Sequence, residues 1–401
     1  MLVLIIIAHY FGKVKEIKRN KMKICAVICE YNPFHNGHLY QLSEARRLSG
    51  ADAILCIMSG CFVQRGEAAV MDKFTRAKHA VLGGADVVIE LPAVFATSNA
   101  ELFAKGAISL LSAIPAVTTL CFGAENADKA AFLKAASLLN DEPKEISEKI
   151  KDLTAKGVSY AKARTEAWAD VMPNNLLSSP NNILGVEYTR AILAKHASID
   201  ILPIQRIGSG YRETAMQEDF SSASAIRTAI QAKGDYSTAL PAYVKTDLPT
   251  DLTDRLDALE KYAILSRKEC EIAKVCDCTE GLENAFKKAA VECASLEETL
   301  TSARYTSSRI RRIALQNLLK IDEAFIRECL YSPLYLRVLA VKKAYPEILS
   351  ALAQASLPLI ARAHDEDCLD GVAKRAYDVD RFAESVHALL YKPSNLRTIF
   401  L

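Results

Sequence analysis

At 401 residues the chain is longer than one ordinary hydrophobic core supports, so two or three packed units are expected. Hydrophobic residues make up 50% and charged residues 24%, a balance that excludes a long disordered tail and fits a globular protein. Fifty basic against 48 acidic side chains leave a net charge of +2, so any nucleic-acid binding has to come from a local basic patch.

In chain order, Met1 to Ala8 is an apolar run too short to span a bilayer, and it lacks the flanks of a signal peptide. A basic stretch, Lys13 to Lys23, follows it. Residues 1–21 therefore read as an upstream extension, with the working protein starting at Met22. From there, short apolar, β-branched runs alternate with helical periodicity. Strands are expected at Lys23–Cys29, Ala53–Met58, Asp86–Leu91, Val117–Phe122 and Ile199–Arg206, and helices at Leu39–Leu48, Lys73–Leu82, Asn99–Leu111 and Ile183–Lys195. Strands of near-continuous apolar character separated by helices predict an α/β domain over residues 22–238, a doubly wound parallel sheet, with a helical insertion at about 141–180. After about Leu240 the strand signals stop, and residues 239–401 read as a helical second domain punctuated by Pro241, Pro249, Pro333 and Pro346. Eleven cysteines, odd in number and scattered, point to reduced thiols in a cytoplasm. The group Cys270, Cys276, Cys278 lacks paired Cys-x-x-Cys spacing and a nearby His, so buried or surface thiols are favoured there over zinc.

The segment Glu30-Tyr31-Asn32-Pro33-Phe34-His35-Asn36-Gly37-His38-Leu39 directly follows the first strand. A turn rich in Asn, Pro and Gly feeds a helix whose amino end favours phosphate, and His35 and His38 put two imidazoles there as donors to an anion. A metal pair or a simple helix cap are the alternatives. Ser222-Ala223-Ser224-Ala225-Ile226-Arg227 opens a late helix: Ser222 and Ser224 can cap it and meet phosphate oxygens, and Arg227 lies one turn on. Alone, that is an ordinary Ser-capped helix.

Together the two motifs resemble those of the HIGH-type nucleotidyltransferase superfamily, with its Rossmann-like sheet. The resemblance narrows with Glu30–Leu39, Met58–Glu67, Gly84–Pro92, Phe122–Glu125, Pro180–Gly185 and Arg206–Gly208, which are similar to segments of the tRNA(Met) cytidine acetate ligase family over residues 24 to about 230, and more weakly to about 345. That family implies activation of acetate by ATP as acetyl-adenylate, and acetyl transfer to N4 of the wobble cytidine of elongator tRNA(Met). It implies ATP-binding residues Ile28, Cys29, Glu30, Tyr31, Asn32, Pro33, Phe34, His35, Asn36, Gly37, His38, Leu39, Tyr40, Gln41, Gly123, Asn181, Arg206 and Ile207. Ser222 and Ser224 join the phosphates, and His35, His38 and Arg227 are the expected catalytic groups, Arg227 facing the leaving pyrophosphate. Cys61 departs from the family pattern, where Asn or Asp is expected. Mg²⁺ is expected from the phosphate chemistry, although no carboxylate cluster identifies its ligands. The rival reading is a small-molecule adenylyl- or cytidylyltransferase of the same superfamily.

Three further groups bear on substrates. Lys73 and Arg76 either reach acetate or phosphate or form a solvated helix face, and Gln64 and Arg65 are candidates to line the substrate pocket. Between Thr299 and Ile321 lie Arg304, Arg309, Arg311, Arg312 and Lys320 without one acid. With Tyr305 as a stacking surface, Arg304, Arg309, Arg311 and Arg312 are expected to contact tRNA, and Arg337, Lys342 and Lys343 to extend the track. His79, His196, His364, His387 and Trp168 read as packing or surface residues.

Overall fold

The computed structural model describes residues 22–172, 176–207, 221–250, 252–253, 255–292, 295–392 and 397–401; the expected extension over residues 1–21 and Gly208 of the Arg206–Gly208 motif lie outside them. The amino-terminal part lays down β1 (Ile24–Cys29), β2 (Ala53–Ser59), a hairpin of β3 (Phe62–Val63) and β4 (Glu67–Ala68), β5 (Val87–Leu91), β6 (Val117–Ala124) and β7 (Asp200–Gln205). Its main helices are α1 (Asn36–Ser49), α2 (Lys73–Leu82), α3 (Ala100–Ser112), α4 (Lys129–Asn140), α5 (Lys144–Ala155), α6 (Tyr160–Trp168), α7 (Pro180–Ala194) and α8 (Ala223–Gln231). Five strands run parallel in the order β5, β2, β1, β6, β7.

The apolar runs are continuous because the sheet is covered on both faces. Ile24, Ala26 and Ile28 of β1 enter one core, beneath Phe103 of α3, Phe132 of α4 and Val186 of α7. Cys25, Val27 and Cys29 enter the other, beneath Leu42 of α1, Phe74 of α2 and Ile226 of α8. The strand order reverses between β1 and β6, where a doubly wound sheet opens a crevice beyond its carboxyl edge.

The carboxyl-terminal part is mostly helical, but it does not stay helical. Helices α9 (Arg255–Ser266), α10 (Leu282–Glu292) and α11 (Ser307–Leu319) enclose a small core of their own around Ile264, Phe286, Ile310 and Ile313. After α12 (Glu323–Tyr331) the chain returns to the sheet through β8 (Leu336–Val341), antiparallel to β5, and β9 (Leu359–Ile360) and β10 (Ile399–Phe400) flank it around α13 (Gly371–Leu390). The expectation that strands end near residue 240 is thus corrected. The segment Leu336-Arg337-Val338-Leu339-Ala340-Val341 mixes helix and strand formers around a charge, and its extended form depends on β5, about 250 residues earlier in the chain.

The segment 141–180 contributes α5 and α6, anchored where Arg164 of α6 and Arg190 of α7 both pair with buried Glu187, at 2.8 and 2.6 Å. Trp168 is fully buried in the adjoining core. Cys276 and Cys278 are buried too, and burial pushes both thiols up to about 12, as suits packing residues. Among the described residues no helix is long and apolar enough to cross a membrane.

Candidate active site

β1 delivers the chain into a turn, residues 30–35, that the surrounding fold grips tightly. Tyr31 adopts φ 50°, a conformation seldom taken by residues other than glycine, and is held by burial, by its hydroxyl 3.4 Å from Cys56 Sγ and by its ring 4.9 Å from that of Phe34. Arg76, fully buried on α2, donates to the carbonyls of Glu30, Ser59, Gly60 and Met71 and so ties the ends of β1 and β2 together. Neither reading of Arg76, solvated face or substrate ligand, survives this geometry.

His35 caps α1: its Nδ1 accepts the Gly37 N–H at 3.1 Å, and the Nδ1 of His38 accepts the His35 N–H at 3.3 Å. The rings stack with centroids 3.7 Å apart. With each Nδ1 occupied as an acceptor, a neutral imidazole keeps its proton on Nε2, which makes that atom the donor. Burial drives His35 down to about 3, with Arg206 adding to the effect, and burial, His35 and Arg206 together hold His38 well below the ordinary histidine value. A Cβ on Gly37 would lie 2.9 Å from Cε1 of His35, so only glycine leaves room for that ring. The cap reading holds, because one nitrogen of each ring serves the start of α1.

These imidazoles border a cleft, open to solvent, at the reversal of strand order. Gly37, Tyr40 and Gln41 of α1, Gly123 of β6, Arg206 and Ile207 after β7, and Ser222 line it with His35 and His38. Ser222 also caps α8, accepting the Ala225 N–H at 3.1 Å. Ile204, Gln205 and Ser221 line the cleft as well; sequence reading missed them, although each sits beside a residue it found.

Other expected ligands serve the scaffold. Ile28 and Cys29 lie in the sheet, Tyr31, Pro33 and Phe34 are buried in the turn, and Leu39 is exposed on α1. Asn36 Nδ2 donates to the Thr238 carbonyl at 2.8 Å, and Glu30 accepts the Gln64 N–H at 2.6 Å. Asn181 donates to Glu125 at 2.7 Å, whose carboxylate also lies 3.8 Å from Arg206 Nε. Ser224 and Arg227 are not among the cleft-lining residues: Arg227 donates to the Asn32 carbonyl and to Glu67, both at 2.9 Å. Gln64 is likewise a strut, its Nε2 bonded to the Ser98 carbonyl at 3.1 Å.

The sequence model of the HIGH Nucleotidyl Transferase family matches residues 22–398. The tRNA(Met) cytidine acetate ligase of Thermoanaerobacter sp. (strain X514) is 36% identical over 392 residues, covering 94% of this chain and 97% of its own length. That of Clostridium acetobutylicum is 36% identical over 386 residues, covering 89% and 96%. Among solved structures, apo Thermotoga maritima TmcAL superposes with a TM-score of 0.86 at 32% identity, over 95% of this chain and 100% of that one. The chain belongs to the tRNA(Met) cytidine acetate ligase family. The same Thermotoga maritima protein, bound with alpha-thio ATP, matches with a TM-score of 0.83 at 31% identity over 95% of this chain and 100% of that one.

In this member of the ligase family, the basic segment on α11 is not a row of free cations. Arg304 pairs with Glu280 at 2.6 Å, Arg309 donates to the Asp277 carbonyl at 2.7 Å and to Thr279, and Arg312, largely buried, lies 3.6 Å from the Asp277 carboxylate. Arg311 bridges Glu297 at 2.8 Å and Glu67 at 3.2 Å. The missing acids come from other elements, which a local count could not reveal. Arg304, which is exposed, and Arg309 both lie over the Tyr305 ring.

Lys73 and Arg337 are also corrected. Lys73 is 1% exposed and bonded to Glu90 and, at 2.7 Å, to Glu384, which Arg337 meets at 2.8 Å. Burial and Arg337 push the Lys73 ammonium down, but Glu90 and Glu384 outweigh them and leave it raised. A Cβ on Gly60 would collide with the Glu90 carboxylate, and Cys61 beside this cluster is a buried thiol pushed up to about 12, mainly by desolvation. Arg337 therefore belongs to the interior and not to an RNA track. His79 and His387 are buried packing residues, bonded to Asp247 and to the Ala69 carbonyl.

Proposed function

We propose that the chain performs the reaction its relatives are named for, the ATP-dependent acetylation of cytidine in elongator tRNA(Met). The stacked, neutral His35 and His38 at the crevice of a nucleotidyltransferase sheet carry this reading. ATP fits the cleft with its phosphates at the two Nε2 donors, Arg206 and Ser222. An acetate oxygen attacks the α-phosphorus, the bond to the β-phosphate oxygen breaks, and pyrophosphate leaves. The N4 amino group of the wobble cytidine then attacks the acetyl carbon of the acetyl-adenylate, losing a proton as AMP departs. Donors held in place for charge growing on phosphoryl oxygens supply the catalysis, and no protein nucleophile is required.

The described residues do not fit a protein-held Mg²⁺. Among them the cleft lining carries no carboxylate, and no three His, Cys, Asp or Glu side chains converge. A divalent ion fits only as a companion of the nucleotide phosphates, and no step above depends on it. For the RNA, Arg304, Tyr305 and Arg309 are the proposed contact, with phosphates displacing Glu280 from Arg304; the cytoplasm is the compartment where ATP, acetate and tRNA meet.

The test combines purified protein, tRNA(Met), ATP, Mg²⁺ and labelled acetate, read by nucleoside mass spectrometry and pyrophosphate release. N4-acetylcytidine that requires both ATP and acetate is the expected result. ATP consumption independent of acetate would favour a small-molecule transferase instead.

A further inference from the structure

We propose that the Asn32 side-chain amide, with the Arg227 guanidinium at the main-chain carbonyl of the same residue, holds the carboxylate of the acid substrate; this rests on the acetate-activating reading above. Asn32 is 3% exposed, and its Oδ1 accepts the Val70 N–H at 2.8 Å. That bond sets the orientation of the amide, since the flipped amide would face one N–H with another. Nδ2 is then a buried donor with no acceptor among the described residues. Folded proteins rarely leave such a group unmatched, and a carboxylate arriving with the substrate supplies the acceptor.

Arg227 lies against the same residue, with Nη1 on the Asn32 carbonyl. Its Nη2 bonds Glu67, whose other oxygen is 3.2 Å from Arg311, so the guanidinium is fixed from behind. Glu67 is matched by two guanidinium groups and does not make the neighbourhood anionic.

Placement favours the reaction. Asn32 and His35 belong to one turn, three residues apart, yet His35 lines the cleft and Asn32 does not. In-line displacement at the α-phosphorus needs the acid and the leaving pyrophosphate on opposite sides, and this turn offers a separate anchor for each.

Asn32→Asp is the discriminating variant, because its carboxylate still accepts the Val70 N–H while an anion replaces the donor. Acetate-dependent pyrophosphate release should show the KM for acetate raised at least about tenfold, with the KM for ATP within about twofold of wild type. An unchanged acetate KM, or an equal rise for ATP, overturns the subsite. If the aspartate variant melts early, Asn32→Ser, which keeps a hydroxyl acceptor, is read by the same two constants. Wild-type protein without acetate dependence would overturn the function and the subsite together, whereas normal wild-type activity with an insensitive variant overturns the subsite alone.

Discussion

The Nδ1 atoms of His35 and His38 are engaged by backbone N–H groups, so the proposed contact with a nucleotide uses Nε2 of each ring. Removing that donor from His38 with His38→Ala should slow acetyl-adenylate formation about 10²- to 10³-fold, while tRNA affinity stays unchanged. Pyrophosphate release and a filter-binding assay check the two halves. His35→Asn should keep the helix start, since Asn is a good cap, yet lose a similar factor in rate. The pH behaviour follows from the depressed histidines. The unfolded chain takes up protons as pH falls below about 6.5 and the folded chain does not, so stability present above that value is lost as pH drops toward the folded pKa of about 3 for His35. Calorimetry between pH 7 and pH 4 should show Tm falling, and falling less in His35→Asn; identical slopes would contradict the assignment. The two histidines were legible as a pair at the start of a helix, but not which nitrogen would be spent on the cap, because a sequence carries no ring orientation.

At the scale of elements, the hairpin of β3 and β4 is the joint between the sheet and α11. Gly66, at φ 76°, passes so close that an added Cβ would sit 2.6 Å from the backbone at Arg311 and Arg312. Gly66→Ala combines backbone strain with this collision and should destabilise the protein by about 2 kcal/mol, measurable by urea denaturation. Arg312, buried against Asp277 and Cys276, belongs to the same joint. Arg312→Ala should cost about 2 kcal/mol of stability without weakening tRNA binding by the folded protein. A variant as stable as wild type that bound tRNA tenfold more weakly would return Arg312 to the RNA surface. The start of α1 shows a local limit of sequence reading: periodicity begins at Leu39, but the helix begins at Asn36 because His35 acts as an unusual cap.

Across the whole molecule, Glu67 is among the carboxylates that join the two halves: it holds Arg227 of α8 and Arg311 of α11 together. The nucleotide side and the helical side are therefore not independent, and Arg311→Ala should lower acetate activation as well as any RNA contact. Arg304→Ala combined with Tyr305→Ala, at the surface, should weaken tRNA binding and reduce its salt slope by about 1 while leaving acetyl-adenylate formation intact. A parallel loss of both activities would place those residues in the joint instead.

The sequence by itself determined the five parallel strands, the helices between them and the turn that carries the histidines, because two-sided burial and helical periodicity are written in neighbouring residues. It also marked the cleft through His35, His38, Arg206 and Ser222. Only the tertiary structure decided which charges are spoken for: Lys73 finds Glu384, Arg337 finds Glu90, and Arg312 finds Asp277. It alone placed β8 against β5 and left the Asn32 amide without an acceptor among the described residues. The physical reason is common to all of these: the partner of a buried polar group is set by how distant segments pack, and packing is not encoded in the adjacent residues.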